Sequence, residues 1–189
     1  MARPLSPEKH QALLMSAMQA IAEQGVLATT SIIAKKAGVA EGTLFTYFEN
    51  KDKLFQELYL YLKKTLSDSM MPNYPHHEKH QVQLQYLFQG YVRWGLRNPE
   101  GRRALTQLMV SGLISEDSIA VASEPFLDVY HMFEDAVIQK ILMEAPISFM
   151  TSIIEDIANT TINSMTNNEK ETDYYMSLGF EIVWKAIRY

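Results

Sequence analysis

An all-α fold is what this sequence predicts, and three observations predict it. Long windows place apolar residues three and four apart, the period of a helix buried along one face. No stretch alternates apolar and polar residues over the length of a strand. Prolines and glycines are few, seven and eight in 189 residues, which leaves those windows long. The pattern divides into about nine helices.

The first helix is expected from about Ser6 to Gln24. Ser6 suits its N-cap, Pro7 the first helical position and Glu8 the positive end of the dipole. Leu13, Leu14, Ala17, Met18 and Ile21 form its apolar stripe, and Gly25 ends it. Thr29 or Thr30 caps the second helix, which turns Ile32, Ile33, Ala34 and Ala37 inward before Gly38 breaks it. A third short helix covers about Glu41 to Phe48, and a fourth starts near Lys51. MMPNYPHHEKH then reads as a connection. Further helices are expected from about Val82 to Asn98, Glu100 to Gly112, Glu116 to Met143 (with Pro125 awkwardly near its start), Pro146 to Met165 and Asp173 to Arg188.

Composition bounds the function. Hydrophobic residues at 47% and charged residues at 21% describe a globular chain. With no cysteine, disulfides, thiolate nucleophiles and cysteine-bound zinc are excluded. The N-terminus carries no signal-peptide pattern, and no segment approaches the ~20 apolar residues of a membrane span. A soluble, cytoplasmic protein without membrane association is therefore expected. The net charge of −5 is unevenly spread: residues 1–64 hold eight Lys/Arg against six Asp/Glu, the remainder nine against sixteen. A mildly basic end on an acidic body fits contact with nucleic acid at that end, with geometry doing much of the positioning.

The most informative stretch is Thr29 to Lys53, TTSIIAKKAGVAEGTLFTYFENKDK. Two capped short helices separated by a glycine, followed by a helix opening on lysine, have the form of a helix-turn-helix. Thr30 and Ser31 at the start of the second helix, Thr43 in the first turn of the third, Tyr47 at its end and Lys51 can each reach a DNA phosphate. Glu41, Gly42, Phe45 and Thr46 are the candidates for contact with bases. Glu41 can accept from cytosine, Gly42 permits close approach, and Phe45 can touch a thymine methyl. Leu44 and Phe48, four apart, face a core instead. TLFTYF could also be an ordinary core segment with Lys51 a solvated cap. The coincidence of glycine break, paired caps and helix restart favours the DNA-facing arrangement.

The order Gly25, Thr29-Thr30, Ile33-Ala34, Ala37-Gly38-Val39, Gly42-Thr43-Leu44-Phe45, Tyr47-Phe48, Lys51 and Leu54 resembles the TetR family of bacterial transcription regulators. Ala40 departs from the pattern, which usually has a capping serine or threonine there, at a cost of ~1 kcal/mol. MARP, QALL, AIA, WGL and LGFE further resemble the RamR-type, multidrug-responsive members of that family. The resemblance implies a helix-turn-helix domain over residues 1–50, a connecting helix over 51–70, and a ligand-binding and dimerisation domain over 71–189. It also implies a homodimer on a pseudo-palindromic double-stranded operator, released by a hydrophobic or cationic small molecule, and no cofactor.

For the ligand pocket, Trp94 leads, with Tyr91 beside it and Tyr59 from the fourth helix. Asp156, Asn159 and Asn163 are the polar candidates. An aromatic cavity with few polar groups binds flat, greasy or cationic compounds, although Trp94 can equally be plain core. For the dimer interface, the last two helices carry Ile154, Ile157, Thr161, Tyr175, Leu178, Ile182 and Ala186 at helical spacing, with Gly179 allowing close approach. They could also pack only within their own chain. His76, His77, Glu78 and His80 form the one cluster with metal-ligand character, His76 and His80 sharing a helix face if that segment is helical. A solvated helix start is the simpler reading, so no metal is assigned and no enzyme is expected. A histidine-metal enzyme or an all-α ligand-binding protein without a sequence-specific DNA role are the competing classes.

Overall fold

The computed structural model describes residues 5–189, Glu169 by its backbone alone. These residues form ten α-helices: α1 (Pro7–Gln24), α2 (Thr30–Lys36), α3 (Glu41–Tyr47), α4 (Lys51–Met70), α5 (His80–Arg97), α6 (Pro99–Val110), α7 (Glu116–Ser123), α8 (Leu127–Ile138), α9 (Ile147–Asn167) and α10 (Thr172–Ile187). The all-α class holds. Where one helix was expected over Glu116 to Met143 there are two, joined by a 3-10 turn at Glu124–Phe126 that contains Pro125. Proline has no N–H for the helical ladder and crowds the preceding turn, so the regular helix stops there. α8 also ends early, at Ile138, because Lys140 takes a left-handed conformation (φ 57°). Ile141 N–H then donates to the Ala136 carbonyl at 2.8 Å and Lys140 N–H to Val137 at 3.0 Å, a Schellman closure without glycine.

The chain divides into two compact units. One comprises the chain up to Thr65 together with Asn98–Ala122. Its core is built from Leu13, Ala17, Ala20 and Ile21 of α1, Ile33 and Ala34 of α2, Leu44 of α3, and Leu54, Phe55 and Leu58 of α4. α6 packs on α1 and adds Ala104, Leu105 and Leu108. Gln56 on α4 clasps the loop between α6 and α7. Its Nε2 donates to the Leu113 carbonyl at 2.8 Å, and its Oε1 accepts from Ser115 N–H at 2.9 Å.

The second unit is Leu66–Arg97 with Ser123–Tyr189. α5, α9 and α10 pack together around Leu84, Phe88, Val92, Ala158, Ile162 and Val183. The last residues are tied down: Tyr189 N–H donates to the Ile141 carbonyl at 3.0 Å, and Met143 N–H to Ile187 at 2.8 Å. The connection into α5 is ordered by the Tyr74 hydroxyl, which donates to Gln83 Oε1 at 2.7 Å. Burial, with the negative charge of Asp128 second, pushes the Tyr74 phenol up to about 12. Among the described residues no helix is long and apolar enough to cross a membrane.

Candidate nucleic-acid interface

Ser6, Thr29 and Gly38 make the helix ends expected of them. Ser6 Oγ accepts from Lys9 N–H at 3.3 Å, and Thr29 Oγ accepts from Ile32 N–H at 3.3 Å. Gly38 adopts φ 68°, which a β-carbon would oppose. There Val39 N–H reaches the Ala34 carbonyl at 3.0 Å and Gly38 N–H reaches Lys35 at 3.2 Å, so α2 ends in a Schellman motif. Ala40 supplies no side-chain cap to α3. Asn50 caps α4, its Oδ1 accepting from Lys53 N–H at 2.8 Å.

The seven residues of α3 divide sharply between two faces. Leu44 and the following Phe48 are 0% and 1% exposed, pinning the helix to the core. Phe45, one residue along, is 47% exposed, and Glu41, Gly42 and Thr46 are exposed with it. A half-exposed phenylalanine beside the exposed Glu41, Gly42 and Thr46 suits contact with an apolar base edge. A β-carbon placed on Gly42 would meet nothing within 4 Å. Nothing in the chain itself requires glycine there, and glycine in a helix is a cost. Gly42→Ala is therefore expected to raise stability by about 0.5 kcal/mol in thermal or urea unfolding. If DNA approaches that backbone closely, the same substitution weakens binding about tenfold in a direct titration.

Several expected phosphate contacts already have partners within the unit. The Thr30 hydroxyl donates to Glu41 Oε1 at 2.6 Å, joining the starts of α2 and α3. Tyr47 accepts from Ser6 N–H at 3.2 Å, which leaves its own O–H to donate elsewhere. Lys51 Nζ donates to the Val26 carbonyl at 2.9 Å and lies 5.0 Å from the Phe55 ring centroid. Its ammonium has two further N–H groups, but the side chain is drawn inward rather than extended. Ser31 is exposed in the first turn of α2, and Thr43 is half-buried. His10 was not singled out from sequence. Its ring lies 4.8 Å from the Phe48 ring centroid, and its Nε2 is 2.9 Å from Glu57 Oε2, so α1 and α4 together brace the end of α3.

The remaining expected sites lie as follows. Trp94 is 2% exposed, with the Tyr91 ring 6.1 Å away centroid to centroid. Asn159 is half-buried, while Asp156 and Asn163 are exposed. Tyr59 is buried in the first unit. Ile182 is exposed, and Ile154, Ile157, Tyr175, Leu178 and Ala186 are half-buried. Thr161 and Gly179, by contrast, are buried against each other inside the chain: a β-carbon on Gly179 would lie 2.2 Å from Thr161 Oγ1 and 2.9 Å from Phe88 Cζ. Their close approach is between α9 and α10 of one chain. α5 begins only at His80, so His76 and His80 do not share a helix face. His80 pairs with Asp135 at 2.8 Å, and His76 lies 3.6 Å from Asp128. Hydrogen bonds from Gln139, then His80, hold the Asp135 carboxyl below its usual value. Among the described residues no group of three or more His, Asp or Glu is placed to hold a metal ion.

Residues 13–58 match the family model described as bacterial regulatory proteins, tetR family. An uncharacterized HTH-type transcriptional regulator of Bacillus subtilis (strain 168), YhgD, is 34% identical over 79 residues. That match takes in 39% of this chain, and spans 41% of the length of the curated relative. Among solved structures, a TetR family transcription regulator from Marinobacter aquaeolei VT8 superposes with a TM-score of 0.81 at 20% identity, over 95% of each chain. A protein of Shewanella sp. PV-4 assigned to the tetR family gives 0.79 at 23% identity, covering 95% of this chain and 97% of that one. At such identities the likeness establishes the fold. The module match covers residues 13–58, and the described residues share the fold of these solved tetR-family transcription regulators.

Proposed function

We propose that this chain is a ligand-responsive repressor that binds a pseudo-palindromic DNA operator as a homodimer, with α3 as the recognition helix. The observation that carries the reading is the division of α3: Leu44 and Phe48 buried, and Glu41, Gly42, Phe45 and Thr46 presented outward. One such module reaches only a few base pairs, and two-fold pairing lets two modules read two half-sites. In this reading residues 1–50 read DNA, 51–70 connect, and 71–189 bind ligand and dimerise. The half-buried and exposed apolar residues of α9 and α10, Ile154, Ile157, Tyr175, Leu178, Ile182 and Ala186, remain available to a second copy. The effector is a hydrophobic or cationic small molecule at Trp94 and Tyr91, as in RamR-type regulators, and the regulated gene serves efflux. Such a ligand releases DNA only if it binds the DNA-incompetent conformation more tightly.

The test is a binding titration of the purified protein with duplex from upstream of its own gene, in the presence of competitor DNA. A discrete complex is expected, weakening steeply as salt rises because phosphate contacts release counterions. Equal, weak binding to every duplex would contradict the repressor reading.

A further inference from the structure

We infer that Thr30 is a positioning residue for base recognition: its hydroxyl fixes the Glu41 carboxylate as an acceptor for the exocyclic amine of a cytosine or adenine. This rests on α3 being the recognition helix and goes further, naming what selects one base and what aims the selector.

The 2.6 Å bond runs from Thr30 Oγ1 to Glu41 Oε1, between residues eleven apart on two seven-residue helices. A hydroxyl donating to a carboxylate is a charge-assisted bond, shorter and stronger than a neutral one. It consumes the one proton the Thr30 hydroxyl can donate. A phosphate contact through that proton is therefore incompatible with the observed pairing. On the Glu41 side the bond uses one acceptor position of about four on an ionised carboxylate. Glu41 stays exposed, so the rest remain open to a ligand.

Glutamate has three rotatable bonds, and an unrestrained side chain on an exposed first turn samples many positions. α3 has no side-chain cap at Ala40 to order that turn. The Thr30 bond is the restraint that the described contacts supply. A restrained carboxylate is a selective reader in the major groove. Cytosine N4 and adenine N6 present N–H donors there, while guanine O6 and N7 and thymine O4 present acceptors. Carboxylate against donor attracts, and carboxylate against acceptor repels, so selection comes from both signs.

The bond could instead serve only as a staple between α2 and α3, and the two roles separate experimentally. Full-length wild type, Thr30→Val, Thr30→Ser and Glu41→Gln are each used to enrich binding sequences from a random duplex library, followed by affinity measurement at several salt concentrations. Thr30→Val keeps the shape of threonine and removes the hydroxyl; Thr30→Ser keeps the hydroxyl.

Wild type is expected to prefer cytosine or adenine at one position in each half-site. Glu41→Gln, which can also donate, is expected to lose or change that preference. Thr30→Val is expected to reduce it about tenfold at the same position only, with the salt dependence unchanged and Thr30→Ser close to wild type. The positioning role is overturned if Thr30→Val weakens binding evenly across all sequences, as a pure staple would, or leaves the profile untouched. Absence of any sequence preference in the wild type would overturn the recognition-helix reading itself, a separate outcome. Thermal melts of each variant identify one that has merely unfolded. The Ser and Gln variants keep a polar group at each end of the pair and carry the test if Thr30→Val does not fold.

Discussion

Phe48→Ala is expected to cost about 3–5 kcal/mol of folding stability, while Phe45→Ala, three residues away, should change it by no more than about 0.5 kcal/mol. Phe48 is 1% exposed, sits under the His10 ring 4.8 Å away, and closes α3 through its N–H to the Leu44 carbonyl at 2.9 Å. Truncation removes a full ring from a buried core position and leaves a cavity there. Against a typical total of about 5–15 kcal/mol, such a loss is enough to leave the module largely unfolded near physiological temperature. Phe45 gives up little, because almost half of it already faces solvent. Its loss should appear in DNA affinity and base preference instead. Urea unfolding of both variants beside a DNA titration checks the contrast. A large stability loss for Phe45→Ala would mean that its ring is structural and that α3 has no free face.

Gly179→Ala is the second expected disruption, in the other unit. The added carbon would fall 2.2 Å from Thr161 Oγ1 and 2.9 Å from Phe88 Cζ, distances that real contacts do not reach. Thr161 cannot simply rotate away, since its hydroxyl donates to the Ile157 carbonyl at 2.8 Å. α10 must then shift off α9 and α5, at about 1–3 kcal/mol for overpacking of this kind. Thr161→Ala removes the nearer obstacle, so the double variant should recover part of the loss. A coupling of at least about 0.5 kcal/mol in a double-mutant cycle is expected. Strict additivity would show that α9 and α10 yield in some other way. Should Gly179→Ala leave stability intact, α9 and α10 would accommodate the added carbon and their close approach would not be a source of stability.

Local chemistry made much of this legible in advance. Ser6, Thr29 and Gly38 act within four or five residues of themselves, so their caps and turns follow from neighbours that the sequence displays. Leu44 and Phe48 follow from helical period. α8 ended where no glycine announced it, because Lys140 adopts the left-handed conformation that glycine usually provides. The split at Pro125 was visible as an awkward residue, but an N-terminal proline and a helix break look alike until the preceding turn is known. The long-range pairs were out of reach. Thr30 with Glu41, Ser6 with Tyr47, and Gln56 with Leu113 join residues 11, 41 and 57 apart, and none carries a spacing signature. Such contacts shape the site: the Thr30 hydroxyl is engaged by Glu41, and Lys51, 25 residues from Val26, is drawn toward its carbonyl. Periodicity likewise says that α6 has an apolar face, without saying that α1 covers it.

The central claim is that the outward face of α3 reads DNA sequence. Enrichment of a random duplex library on the purified wild-type protein tests it most directly. The expected result is two inverted half-sites with a defined spacing, whose base preferences collapse in Phe45→Ala while that variant unfolds at the wild-type denaturant concentration. A library that returns no common sequence, or the same sequence whether or not Phe45 is present, would contradict it.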